Sequence, residues 1–448
     1  MRYKNLFPWI LMTVLSVTIL WGKEFEITLE TAKKIALENN PDIRVAKKEL
    51  KQAELRLVEA RANFFPTISA FSQLQHAWEL PTVIMNNPFY DPVLNPRKKL
   101  YFKMGTENNI AYGLNLQLPI FTGGSIYYGY KMALMNREIA EAQLKSKEQE
   151  VISNVINAYY NVLFLQSMLK VTEEALEAAT ENLKQVKYYY NEGKASEFDL
   201  IRAEVQLENY KPQLLSVKNQ IRIAKDRLKM LLGIDDSVEI ICIDSLYYQE
   251  TEFLKKPLEE LIENAIDNRA DIKILKIQKD LLKTQVKLNR ASLMPTLAFS
   301  TNYQYQGQRD DFNFESEDFF RSSSSSLSLS IPLFSGFKNH SRIQQSKIEV
   351  RKFQDRFDHA INGVKIEVKS AWLKLKEAAQ NVQTQLKIVE QSKESMRLAN
   401  LMYKEGMNTQ LDVLNAQVAL NQSKMNYQRY LLEYNLALAS LLKALNLL

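Results

Sequence analysis

From Asn109 to Leu118 apolar and polar positions alternate. Ile110, Tyr112, Leu114, Leu116 and Leu118 fall on one face, and Ala111, Gly113, Asn115 and Gln117 on the other. Leu327, Leu329, Ile331 and Leu333 alternate with Ser326, Ser328 and Ser330, and Leu297, Phe299, Tyr303 and Tyr305 with Ala298, Ser300, Asn302 and Gln304. Residues 67–78 follow the pattern more weakly. A period of two with one apolar and one small polar face predicts half-buried strands, at about 67–78, 109–120, 296–306 and 324–334. Strands of about ten residues with aromatics near one end fit a membrane barrel, lipid outside and water inside. A soluble antiparallel sheet over a core is the competing reading. Four strands cannot close a barrel, and lipid does not tolerate open edges, so a membrane role requires several chains to pool strands.

Elsewhere the apolar period is helical, as in Ile152, Ile156, Tyr159 and Leu163, or Leu411, Leu414, Val418, Met425 and Leu432. Two helices are predicted at about 124–192 and 337–405; after their first residue neither holds a proline, and each has one interior glycine, Gly129 or Gly363. At 1.5 Å per residue each is roughly 100 Å long, which implies coiled-coil packing. Helices at about 196–232 and 409–447 follow. Asp42–Phe65 and Ser196–Leu232 together nearly match one long helix, so two short helices stacked end to end suit one long neighbour. Pro212 is expected to kink the second of them.

Gly193 and Gly406 stop the long helices as C-cap glycines. Ser196 with Asp199, and Thr409 with Asp412, then fit the capping-box pattern of a hydroxyl followed three residues on by an acid. Each turn is thus a helical hairpin tip far from the strands. A capping acid needs no further role, so local capping stands beside any functional reading of Asp199 and Asp412.

The chain is written twice. Pro66 answers Pro295, Leu118–Gly123 answers Ile331–Gly336, and Tyr190–Gly193 with Asp199 answers Tyr403–Gly406 with Asp412. A repeat this long points to a fused duplication rather than a solenoid. It divides the chain into a first repeat at 23–233, a linker at 234–256 and a second repeat at 257–448. Residues 1–22 read as a signal peptide, with Arg2 and Lys4 before an apolar run; a retained anchor is the alternative. The net charge of +6 is spread over mixed-sign helix faces, with no basic cluster interleaved with aromatics, which argues against nucleic acid. The single cysteine, Cys242, lies in an isoleucine-rich stretch and reads as a buried hydrophobe.

Together these features resemble the TolC family of outer-membrane efflux proteins, over essentially the whole chain after residue 22. The most specific parts are Leu118–Gly124, Ile331–Gly336 and the two Gly-then-Asp tips. The resemblance implies a mainly α fold with a β-barrel part. A homotrimer pools four strands per chain into a twelve-stranded barrel in outer-membrane lipid, continued by a periplasmic α-helical barrel. Residues 234–256 and the C-terminal end would form an equatorial belt. Pro119, Gly123 and Gly124, and Pro332 and Gly336, would bend strand into helix. The implied function is export of small molecules or polypeptides, in tripartite efflux or type I secretion, with a periplasmic adaptor and an RND or ABC inner-membrane pump.

At the tips, the resemblance puts Asp412 on an acidic constriction ring, Asn415 on the ring's second position, Tyr403 on a gate tyrosine and Asp199 on its acceptor. Asn408 stands where the family has a gate arginine and Asn415 where its best-known member has an acid. A one-carboxylate ring holds cations less strongly, and without the arginine another contact must pin the tips. Three scattered histidines, His76, His340 and His359, offer no metal spacing, and Ser322–Ser326 lack a catalytic partner, so neither enzyme chemistry nor a cofactor is expected. The rival reading is a periplasmic coiled-coil adaptor or structural protein without a pore. The segments 81–107, expected to be irregular, and 307–320, an acidic loop, are expected outside the cell.

Overall fold

The structure, a computed structural model, describes residues 25–448. The expected signal peptide lies outside the described residues. Two compact units are present. One comprises residues up to 45, 146–269 and 364–448; the other comprises 46–145 and 270–363.

The second unit holds an antiparallel four-stranded sheet in the order β2-β5-β7-β8, made of β2 (Thr67–His76), β5 (Asn108–Thr122), β7 (Thr296–Arg309) and β8 (Phe319–Ser330). The register aligns the alternating patterns. Ile68 pairs with Leu116, Leu114 with Tyr303 and Phe299 with Leu327, so one face is largely apolar, with Arg309 and Arg321 on it only at the end near His76. Gln73, Asn115, Asn302, Gln304 and Ser324 share the other, on which no strand residue is charged. The apolar face is uncovered: Ile68 is 68% exposed and Leu327 64%. Among the described residues β2 and β8 each pair with one strand only, leaving two open edges.

Some boundaries differ from expectation. β8 starts five residues earlier and ends at Ser330, leaving Ile331–Ser335 outside the sheet. Pro332 has no N–H to give to a ladder, so pairing stops there. The segment 81–107 is not irregular throughout, because β3 (Thr82–Asn86) and β4 (Lys99–Lys103) form an antiparallel hairpin within it. Its prolines fall outside both strands, and β-branched and aromatic residues fill them.

Helices α2 (Pro41–Ala62) and α6 (Ala270–Ala291) each have 22 residues, and α1 (Leu29–Asn39) and α5 (Leu258–Asn268) each have 11. The long helices α3 (Ser125–Asn191) and α7 (Lys338–Lys404) each have 67. They are followed by α4 (Glu197–Leu232) and α8 (Gln410–Ala444), and α4 continues through Pro212. No helix among the described residues is long and apolar enough to cross a membrane.

In the first unit β1 (Phe25–Ile27) pairs in parallel with β6 (Ile240–Cys242), a contact absent from the sequence reading. Cys242 is buried, and burial pushes its thiol up to about 12. The irregular chain after β6 is held by side chains of the long helices. Tyr434 donates to the Gln249 carbonyl, Asn435 Nδ2 to Tyr247 O at 3.1 Å and Trp372 Nε1 to Phe253 O at 3.2 Å. Backbone without secondary structure needs such donors once it leaves water. Tyr159 is fully buried, with its hydroxyl 2.7 Å from Asp244 Oδ2 and 2.9 Å from Ile27 O. Asp244 Oδ2 also accepts from Leu29 N at 2.8 Å, which ties α3, the segment after β6 and the start of α1 together.

Tyr159→Phe removes the proton that α3 gives to Asp244 and the Ile27 carbonyl. It is expected to lower stability by about 1–3 kcal/mol, read as a lower thermal midpoint in detergent.

Candidate functional site

Both hairpin tips form by local chemistry. At the end of α3, Gly193 takes φ +73°, its N–H bonds Tyr190 O at 2.9 Å, and Lys194 N bonds Tyr189 O at 2.8 Å. At the end of α7, Gly406 takes φ +70°, with Gly406 N to Tyr403 O at 3.1 Å and Met407 N to Met402 O at 2.8 Å. These paired bonds satisfy the last carbonyls and require a left-handed residue, which glycine adopts without a Cβ clash. Both restarts are reciprocal capping boxes. Asp199 Oδ2 accepts from Ser196 N at 3.2 Å and Oγ at 2.7 Å. Asp412 Oδ2 accepts from Thr409 N at 2.9 Å and Oγ1 at 2.7 Å.

The Thr409 hydroxyl, then its backbone N–H, hold the Asp412 carboxyl below the usual Asp value. Asp412 and Asn415 are both exposed, three residues apart on one helix face. Tyr403 lies edge-on to Tyr189 with centroids 5.9 Å apart. Burial, and after it the charge of Asp199, raise the pKa of its hydroxyl. The structure therefore brings Tyr403 into the field of Asp199, while the hydrogen bonds of the Asp199 carboxylate go to its own cap residue, Ser196. Asn408 turns back on α7, donating from Nδ2 to Ala399 O at 3.2 Å, and its Oδ1 is buried without a partner.

The joints between strand and helix differ from each other. In the first, the β5–β7 register shifts between Pro119 and Phe121, then Gly123 and Gly124 take φ +63° and +89°. Thr122 Oγ1 accepts from Ile126 N at 3.4 Å as α3 begins. A Cβ on Gly123 would lie 2.5 Å from Ala291 O and 2.7 Å from Met294 Cβ. In the second, Pro332 lies outside the sheet, and Gly336 and Phe337 are both left-handed, with φ +60° and +62°. Nothing crowds Gly336.

The model of a family described as outer membrane efflux protein matches residues 33–234 and 261–447. The chain belongs to the outer membrane efflux protein family. It is 20% identical to Outer membrane protein TolC of Salmonella enteritidis over 291 residues, 64% of this chain and 59% of that protein, so it spans less than two thirds of that relative. It is 19% identical to Alkaline protease secretion protein AprF of Pseudomonas aeruginosa, over 95% of this chain and 85% of that protein. The outer membrane protein VceC of Vibrio cholerae has the same fold, with TM-score 0.74 and 18% identity over 93% of this chain and 96% of that one. The expected family is thus shown. As a member, the protein belongs to the outer membrane.

The sequence reading missed a polar link inside this efflux-family helix bundle. Asn421 on α8 donates to the Tyr210 hydroxyl on α4 at 2.9 Å; Gln206 donates to the same oxygen at 3.2 Å, and Gln417 to Asn421 Oδ1 at 3.0 Å. Tyr210 and Asn421 are 7% and 5% exposed. The available signal was spacing: Asn421 sits seven residues after Leu414, in the apolar stripe, where one polar residue fixes helix register at a cost in stability.

Two substitutions separate the joints. Gly336→Ala carries the left-handed cost alone, about 1 kcal/mol. Gly123→Ala adds the clash with Ala291 and Met294, for about 3 kcal/mol in total. Thermal melts of the purified variants followed by circular dichroism should rank them in that order.

Proposed function

We propose that three copies pool their sheets into a twelve-stranded outer-membrane barrel, continued by a periplasmic α-helical barrel. The assembly is a channel-tunnel that exports small molecules or polypeptides from the periplasm, or from an inner-membrane pump, to the exterior. The observation that carries this is the open four-stranded sheet, with one largely apolar face, one uncharged polar face and two unpaired edges. Lipid admits sheets only when every edge is paired, and outward apolar with inward polar alternation is the barrel pattern. A pore-less periplasmic coiled-coil protein has no use for such a sheet. The equal lengths of α1 and α5, α2 and α6, and α3 and α7 support the duplication. The partners are a periplasmic adaptor and an inner-membrane pump of RND or ABC type, as in tripartite efflux or type I secretion. The segments 77–107 and 310–318 face outside, and 234–256 belongs to the equatorial belt.

The gate reading follows from the tips. Three copies of Asp412 converge on the axis with Asn415 beside them, while Tyr403 and Asp199 pin the hairpins; Asn408, at the place of the family's gate arginine, turns back on Ala399 and leaves that pinning to them. The two roles of Asp412 predict opposite pH behaviour. A capping carboxyl with a lowered pKa contributes stability above the unfolded value, about 3.9, and loses it as pH falls through the lower folded value. Three converging carboxylates repel one another, which raises the pKa.

Native mass measurement in detergent should give a trimer; a water-soluble monomer would sink the barrel. Cation block of single-channel current should weaken in Asp412→Ala, strengthen in Asn415→Asp, and titrate with a midpoint above about 3.9 in the parent. Block unchanged in Asp412→Ala, together with a lower melting temperature, reduces Asp412 to a cap. Cysteines at Pro92 and Glu315 should label in intact cells; labelling only after lysis reverses the topology.

A further inference from the structure

The segments 77–107 and 310–318 leave the sheet at one end, since His76 pairs with Asn108, Asn108 with Arg309 and Gly307 with Phe319. The first carries four bases and three acids, Glu79, Asp91 and Glu107, but its bases are all gathered in 97–103. Arg97, Lys98, Lys99 and Lys103 crowd the β3–β4 hairpin with no acid between them, whereas residues 310–318 hold five acids and no base. Part of that acidity is already used. Arg309 pairs with Asp311 at 2.9 Å and Asp318 at 3.0 Å, and Asp310 Oδ1 accepts from Glu107 N at 3.2 Å. Glu315 and Glu317 are exposed and make no ion pair among the described residues. The four hairpin cations are likewise exposed and without an ion pair, and Lys98 lies 5.8 Å from the centre of the Tyr90 ring. The bases of the two segments touch within one chain, yet no ion pair joins the hairpin to its own acidic loop.

We infer that the β3–β4 hairpin of one copy clasps the acidic loop of the next copy, with Arg97, Lys98, Lys99 and Lys103 facing Glu315 and Glu317 across the subunit boundary. This rests on the proposed trimer. All strand pairs of the sheet are antiparallel, so closing the ring sets β2 antiparallel to β8 of the next copy. The His76 end of β2 then lies beside the Phe319 end of that β8, and the segments following one and preceding the other become neighbours. Opposite charges at such a boundary select the correct partner and oppose self-matching of like loops. Three clasps would brace the outer mouth where strand pairing ends.

Carbodiimide, which joins amine to carboxylate without a spacer, tests this on the full chain in detergent. Peptide mapping should find a link between the Arg97–Lys103 region and the 310–318 region in the covalent dimer and trimer bands, and not in the monomer band. High salt should reduce its yield. Lys98→Glu, Lys99→Glu and Lys103→Glu together should abolish the link, and adding Glu315→Lys with Glu317→Lys should restore it. A parent chain that is not a trimer by native mass overturns the assembly itself. A trimer with the link in the monomer band, or with none, overturns the clasp alone. If the link is absent and Lys98→Glu with Lys99→Glu instead lowers binding to phosphatidylglycerol vesicles, the hairpin meets lipid and the clasp is overturned.

Discussion

Backbone polarity at the edges of a small sheet governs this protein. Among the described residues β2 and β8 each present a row of N–H and C=O groups with no partner, and the sheet they bound has a largely apolar face open to its surroundings. In water such edges invite misassociation; in lipid each unpaired group costs several kcal/mol. Closure by further copies removes both problems with one contact type. The apolar face and the uncharged polar face follow the same logic, since Leu and Tyr on one side and Gln, Asn and Ser on the other suit a wall between hydrocarbon and water.

The helical parts meet the same requirement differently. Long helices satisfy their own backbone, so difficulty concentrates at their ends and in the irregular chain between the repeats. At the ends, Gly193 and Gly406 supply the left-handed residue, and Ser196 and Thr409 supply the caps. In the irregular chain after β6, long-helix side chains take over: Trp372, Tyr434 and Asn435 each reach a backbone carbonyl there, and Tyr159 holds the Asp244 carboxylate. This irregular chain is therefore ordered by side-chain donors, which makes it dependent on the registry of α3, α7 and α8.

Asp412 caps α8, and in the proposed channel the same carboxylate would also face the pore. Its Oδ2 is committed to the Thr409 cap, yet the side chain remains exposed. A carboxylate held in one place by its own helix start is a well-defined charge for a pore to use. Asn408 and Asn415 are neutral where the family resemblance leads one to expect charge; in the proposed gate, burial of Tyr403 and links such as Tyr210 to Asn421 would take over the pinning.

The amino-acid sequence by itself determined what depends on near neighbours. Alternation along 109–118 specified a two-faced strand, the absence of proline through α3 and α7 specified their length, and Ser196 with Asp199 and Thr409 with Asp412 specified the caps, because each involves contacts a few residues apart. Tertiary structure alone decided what depends on which distant segments meet. It set β5 beside β7 and folded 82–103 into a hairpin. It paired β1 with β6, turned Asn408 back onto Ala399 and joined Asn421 to Tyr210. A buried polar group finds its partner through the packing of whole helices, and no local pattern encodes that choice.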